Sequence, residues 1–270
     1  MFNQHSRYAR LDPRASHAGG RKYGWHPSRL VSPHPRYAIP AHHAAGHLPA
    51  SVDLMPECPS VYDQGSLGSC TGNALAALFQ FLLMKEGQPS FVPSRLMIYW
   101  GERAMEGTKG QDAGANGDDG ITFLATKGAC PETTWPYDPY KFAQMPSPRA
   151  WAEAYHHRLA GPMTIDNSDP IAIKSCLAIG LPIAFGFTAY PDLEGEKTAT
   201  TGHLPLPTAE ELPIGGHEVL MVGYDDATGL FKCRNSWGPG WGLRGYFTMP
   251  YAYATNTNLA GDFRSARSAS

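Results

Sequence analysis

Cys70 closes the string Gln64-Gly65-Ser66-Leu67-Gly68-Ser69-Cys70, and a sixteen-residue apolar run that reads as a helix follows at once. A thiol at a helix N-terminus faces backbone N–H groups without intrahelical partners and the positive end of the macrodipole. Both favour the thiolate, the nucleophilic form. Far downstream stand His217, in Gly215-Gly216-His217-Glu218-Val219, and Asn235, in Asn235-Ser236-Trp237-Gly238-Pro239-Gly240-Trp241-Gly242. An amide carbonyl is a poor electrophile, so attack on it needs an ionised nucleophile, a proton source for the leaving amine and donors for the oxyanion. Cys70 has the chemistry of the nucleophile, and His217 that of the proton carrier. Asn235 has that of the group that fixes the imidazole tautomer through its other nitrogen.

Each residue alone has a plainer reading. A free cysteine is among the most buried residue types, a histidine in a valine-rich strand is commonly a satisfied core residue, and Asn-Ser before Trp-Gly-Pro-Gly is ordinary turn chemistry. Two features weigh toward catalysis. Gly215 and Gly216 allow close backbone approach beside His217, and the eighteen positions from His217 to Asn235 span a strand, a turn and a strand. Together these contexts resemble the papain family of cysteine peptidases, in which glutamine, cysteine, histidine and asparagine come in this order. The six-residue step from Gln64 to Cys70, the Asn-Ser-Trp-Gly-x-x-Trp-Gly-x-x-Gly-Tyr run from Asn235, Gly223-Tyr224, Val52-Asp53 and Pro136-Tyr137 carry the resemblance, over roughly residues 48 to 255.

The resemblance implies an α+β fold of two lobes, one helical and one an antiparallel sheet, with the cleft between them. It implies peptide-bond hydrolysis through a Cys-His-Asn set and a thioester, without metal or cofactor, on a peptide or protein substrate and with no nucleic-acid or membrane partner. Gln64 and the Cys70 N–H would form the oxyanion hole, Trp237 would cover the His217–Asn235 bond, and the Cys70 pKa would fall to about 3.5 to 7.5. The same thiol and histidine also suit a papain-fold acyltransferase or deamidase. A catalytically idle binding module would not need the set.

Departures from the family pattern bear on substrate. Leu67 stands where a disulfide cysteine is usual, Thr71 where a tryptophan follows the nucleophile, and Gly117-Asp118-Asp119-Gly120 where paired glycines bind substrate backbone, leaving Gly120 as the expected contact. Beside Gly216 and His217, Glu218 replaces a small residue bordering the main specificity pocket. With Asp118 or Asp119 it is expected to favour a basic side chain two positions before the scissile bond, unless it is paired within the protein.

With 270 residues, 42% of them hydrophobic, the chain can bury one domain or two close-packed lobes. No window reads as a membrane span and no apolar h-region opens the chain, which predicts a cytoplasmic enzyme or export without an ordinary signal peptide. Cys58, Cys70, Cys130, Cys176 and Cys233 form no regular framework, as in a reducing compartment. Residues 1 to 47 hold five of the 24 prolines and seven of the 11 histidines, and residues 1 to 50 carry six Arg and one Lys against one Asp. This reads as a basic arm docked on the chain's own acidic body, an abbreviated prosegment occluding part of the cleft, with a mobile tail as the alternative. The His42-His43-x-x-x-His47 cluster lacks acidic or cysteine ligands and reads as solvated. Helices are predicted over 71–86, 93–105 and 120–127, and strands over 182–189, 218–224, 230–235 and 245–249. A loop beside the cleft is expected from Pro191 to Gly215, and a tail over 256–270.

Overall fold

Leu75, Leu78, Phe79, Leu82 and Leu83 recur at helical spacing behind Cys70, and the chain winds there into a helix. The structure, a computed structural model, describes residues 22–270. Its helices are α1 (Ala41–Ala44), α2 (Cys70–Lys85), α3 (Arg95–Met105), α4 (Gly117–Thr126), α5 (Pro148–Ala154), α6 (Pro170–Ala178), α7 (Glu196–Thr201) and α8 (Tyr251–Ala254). Its strands are β1 (Ser51–Asp53), β2 (Leu159–Ala160), β3 (Met163–Thr164), β4 (Ile183–Ala189), β5 (Gly215–Asp225), β6 (Leu230–Arg234), β7 (Tyr246–Pro250), β8 (Ala260–Ser265) and β9 (Ser268–Ala269).

Nearly every side of α2 is buried, which only a helix inside a core sustains. One flank meets α3 and α4, and the other meets β5. Ser94 starts α3 by accepting the Met97 N–H at 3.1 Å, and Asn116 starts α4 by accepting the Asp119 N–H at 2.9 Å. The sheet is antiparallel, in the order β3-β8-β4-β5-β6-β7, with β1 paired to the far half of β5. Strand β5 therefore lies mid-sheet, held by β4 on one side and β6 on the other, and its first residues carry the histidine. Helices first and a sheet second give the expected α+β fold.

The segment past residue 255 is no tail. Strand β8 lies between β3 and β4 with Phe263 buried. The strand is hard to read in the sequence because Asp262 and Arg264 sit inside it, and their charges are met within the protein. Residues 191 to 215 are likewise more ordered than an open loop. They hold a helical turn at Pro191–Leu193 and α7, and the Leu204 N–H donates to Thr248 at 2.9 Å.

Residues 22–47 run across the body as a strap. The Tyr37 N–H donates to the Thr164 carbonyl at 2.7 Å, and ion pairs join Arg36 to Asp166 and Lys22 to Asp112 at 2.9 Å each. His43, expected in solvent, is buried at α1 with Nδ1 2.8 Å from the Ser175 hydroxyl of α6. The first 21 residues of the arm lie outside the described residues. All five cysteines are free thiols, and Leu67 packs with Leu96 and Tyr99.

Candidate active site

The loop before the nucleophile is fixed from beneath by Arg95. Its guanidinium makes two 2.8 Å bonds to Glu132 and donates to the Asp63 carbonyl at 3.0 Å and to Asn73 at 3.1 Å. The Tyr137 hydroxyl donates to the Gln64 carbonyl at 2.8 Å and lies 2.5 Å from the Ser69 hydroxyl. The Ser69 hydroxyl also accepts the Asn73 side-chain amide of α2 at 3.1 Å, and α2 starts at Cys70 without a side-chain cap on its backbone N–H groups. Thr71, in the tryptophan's place, donates to Glu102 at 2.6 Å inside the core.

Opposite stand the two residues from the sheet. His217 lies near the start of β5, and Asn235 directly follows β6, tied by its N–H to Gly245 at 2.9 Å. The His217 Nε2 lies 2.8 Å from the Asn235 amide oxygen, which also accepts the Ser236 N–H at 2.8 Å. With that oxygen as acceptor, Nε2 carries the proton and the acid–base chemistry falls to Nδ1. Trp237 lies over the imidazole, ring centroids 5.0 Å apart and 31° between planes, and is 4% exposed. Its indole and the buried setting keep water from the His217–Asn235 bond.

The lobes are stitched together at Gln64. Its N–H donates to the Ser236 carbonyl at 2.9 Å, and its Oε1 accepts the Ser236 hydroxyl at 2.6 Å. That bond turns Nε2 toward the nucleophile loop, where it donates to the Leu67 carbonyl at 2.9 Å and to the Lys22 carbonyl at 3.3 Å.

Lys22 belongs to the strap, and the strap fills the cleft. Tyr23 sets its ring edge against His217, centroids 5.8 Å apart, and its hydroxyl donates to Glu194 at 2.7 Å. Gly24 passes over Gly68 so closely that a Cβ would fall 1.7 Å from the Gly68 oxygen, and only glycine fits there. The Trp25 N–H donates to the Gly216 carbonyl at 2.9 Å. The Ala115 N–H donates to Gly24 at 2.7 Å, and the His26 N–H donates to Ala115 at 3.2 Å. The Trp25 indole lies where side chains at Gly186 or Gly216 would collide with it, and its Nε1–H donates to Asp262 at 3.1 Å. Cys70 and His217 are consequently fully buried.

This burial overturns the expected low thiol pKa. Burial pushes the Cys70 thiol up to about 12; backbone N–H groups of Glu218 and Gly24 pull it down, and the Glu218 and Glu102 carboxylates push it further up. With the strap seated, Cys70 is a thiol.

The pocket residues divide. Gly216, expected at the substrate, meets the strap here through its carbonyl. Gly120 does not reach the cleft, because a Cβ there would meet Leu75 at 2.2 Å and Glu102 at 2.6 Å; it serves helix packing, and Ala115 makes the backbone pairs instead. Asp118 is taken by Arg264 at 2.6 and 2.7 Å and by Ser32 at 2.7 Å. Burial would raise its pKa, but Arg264 and the serines hold the carboxyl below its ordinary range. Asp119 accepts the Asn116 amide at 2.7 Å. Glu218 is different. It is 1% exposed, and neither oxygen has a hydrogen-bond partner among the described residues. It pairs across strands with Gly186, on the sheet face that Trp25 covers. Burial, with the Asp262 carboxylate adding and Arg264 opposing, drives its pKa well above the ordinary range. Asp262 and Ala115 went unmarked in the sequence, since neither sits in a motif. The strap's Tyr23-Gly24-Trp25 carried the one available signal, a glycine between two aromatics.

A papain family cysteine protease profile matches residues 48–265. Xylellain, a cysteine protease from Xylella fastidiosa of known structure, is 40% identical, with a TM-score of 0.85 over 91% of this chain and 96% of that one. An uncharacterized peptidase C1-like protein of Acanthamoeba polyphaga mimivirus is 39% identical over 220 residues, 78% of this chain and 71% of that protein. Bovine pro-cathepsin H is 27% identical over 214 residues, covering 76% of this chain and 60% of its own length. With its nucleophile loop, histidine strand and asparagine turn assembled around one cleft, the chain belongs to the papain family of cysteine proteases.

Proposed function

We propose that the chain is an endopeptidase that cuts peptide bonds through Cys70, His217 and Asn235 and is held latent by its own strap. The observation that carries this reading is the 2.8 Å bond from the His217 Nε2 to the Asn235 oxygen beneath Trp237, across the cleft from a cysteine at a helix N-terminus. Once Tyr23, Gly24 and Trp25 leave, water and the imidazole reach the thiol, and the helix end favours the thiolate. The thiolate attacks the carbonyl, whose oxygen takes the Gln64 amide and the Cys70 N–H, and His217 protonates the leaving amine. Water then opens the thioester, with His217 as base.

The pocket vacated by Trp25 would present Asp262 and the unpartnered Glu218. A basic side chain two positions before the cut suits both carboxylates, and the indole N–H on Asp262 already shows a donor held there. A peptide-library profile with only apolar preference at that position would remove this part of the reading.

The test is thiol-dependent cleavage of a fluorogenic peptide by the full chain, set against Cys70→Ala. Cleavage lost in Cys70→Ala supports the endopeptidase. Ammonia release from glutamine side chains with no peptide cut would favour the deamidase.

A further inference from the structure

Tyr23 and Trp25 fill pockets on opposite sides of the cut. The Trp25 indole lies over Gly186 and Gly216, in the pocket for the side chain two positions before the scissile bond, and residue 25 pairs parallel with Ala115. Tyr23, two residues earlier in the chain, lies against His217. In an acyl transfer at this site His217 protonates the departing amine, so the space beside its ring belongs to the leaving chain. The strap thus runs opposite to a substrate, and its side chains mark pockets rather than the order in which a substrate fills them.

The pocket around Tyr23 is shaped for a ring with a donor at its tip. Tyr23 meets His217 at 5.8 Å and 86° between planes and Trp237 at 6.2 Å and 64°, the edge-to-face arrangement that aromatic pairs favour. Behind it Gly215 leaves a flat wall, since a Cβ there would fall 2.5 Å from the Tyr23 Cβ. The side chain is buried, and its hydroxyl donates to the Glu194 carboxylate at 2.7 Å. Glu194 is held in place by its backbone. It ends the helical turn Pro191–Leu193, its N–H donates to the Pro191 carbonyl at 3.0 Å, and Leu193 beside it is fully buried. The carboxylate belongs to the segment from 191 to 215, which the Cys-His-Asn chemistry leaves without a role.

We infer that Glu194 is a specificity residue on the leaving side of the cut, where it accepts the phenol of a tyrosine that directly follows the scissile bond while Gly215 and Trp237 hold the ring. The inference rests on the endopeptidase reading and names the substrate class of that same site: chains cut immediately before a tyrosine. Phenylalanine fits the same walls but leaves the carboxylate without its donor, and glutamate sets a like charge against it.

Internally quenched peptides that are identical before the cut and carry tyrosine, phenylalanine, leucine or glutamate after it test this, with kcat/KM as the readout and the cut placed by mass spectrometry. Full-length wild type and full-length Trp25→Ala are both used. Strap opening precedes every peptide alike, so the ratios are free of it. The residue after the cut departs in the first step, so it should move kcat/KM and leave the opening of the shared thioester unchanged. Tyrosine should be cut at least about ten-fold faster than phenylalanine, with glutamate slowest, and Glu194→Ala should bring tyrosine down to the level of phenylalanine. Equal rates for tyrosine and phenylalanine in the wild type, a comparison that needs no Glu194 variant, would overturn the assignment. So would a Glu194→Ala protein that cuts every peptide faster by one factor with the ratios unchanged, since Glu194 would then only latch Tyr23. Cutting without a tyrosine preference sinks this assignment alone, whereas no cutting of any peptide by either protein sinks the endopeptidase reading and the role of Glu194 with it.

Discussion

Gln64 and Glu218 are the two cleft side chains whose replacement changes the chemistry most directly. Gln64→Ala removes one oxyanion donor and should lower kcat by roughly 100- to 1000-fold with KM little changed, measured on the unlatched enzyme. Glu218 has its carboxyl pKa raised where Trp25 covers the sheet face. A carboxyl raised on docking lends the docked strap stability that is complete below its undocked pKa and fades as pH climbs through its docked one. Asp262, also raised, first by burial, with Arg264 and Ser28 opposing, acts in the same direction. His34 and His43 are lowered, chiefly by burial, so their share is lost as pH falls through the ordinary histidine range. Strap release should therefore speed up on the alkaline side, and Glu218→Gln should flatten that limb. Cys70 alkylation followed across about pH 5 to 9 reads it.

At the scale of elements, the strap is held by shape as much as by bonds. A Cβ at Gly24 would strike the Gly68 carbonyl, so Gly24→Val should expel this stretch and raise the alkylation rate of Cys70 by more than about ten-fold, with Tm shifted by only a few degrees. What could be read from the sequence follows the same division. The helix behind Cys70 and the strands around His217 and Asn235 announced themselves because their apolar periodicity and glycine turns are local. Strand β8 did not, because Arg264 and Asp262 find their partners only in the folded chain. Gly120 lies away from the cleft for a related reason. Glycine spacing does not tell a cleft from a helix crossing, and the crossing with Leu75 claimed it. The thiol pKa departs from its expected range because a helix end is visible in sequence, whereas the strap that buries it is not.

For the molecule as a whole, the proposed latency comes from the strap, and most of the stability from the core beneath it. The five cysteines are unpaired, and burial pushes Cys130 and Cys176 up to about 12, so reductant should leave Tm unchanged while activity requires it. The main core runs from α2 through the sheet and takes in Tyr23 of the strap, while Trp25 is buried against Gly186 and Gly216. The latent-enzyme reading has an assembled Cys-His-Asn set waiting beneath the strap. Its most direct test is the rate at which an epoxide or vinyl sulfone labels Cys70 in the full chain, in Trp25→Ala and in Cys70→Ala, with peptide hydrolysis followed alongside. Slow labelling of the wild type, much faster labelling and hydrolysis by Trp25→Ala, and neither in Cys70→Ala are the predicted result. Wild type and Trp25→Ala labelling at one rate, or rapid labelling without hydrolysis of any peptide, would contradict it.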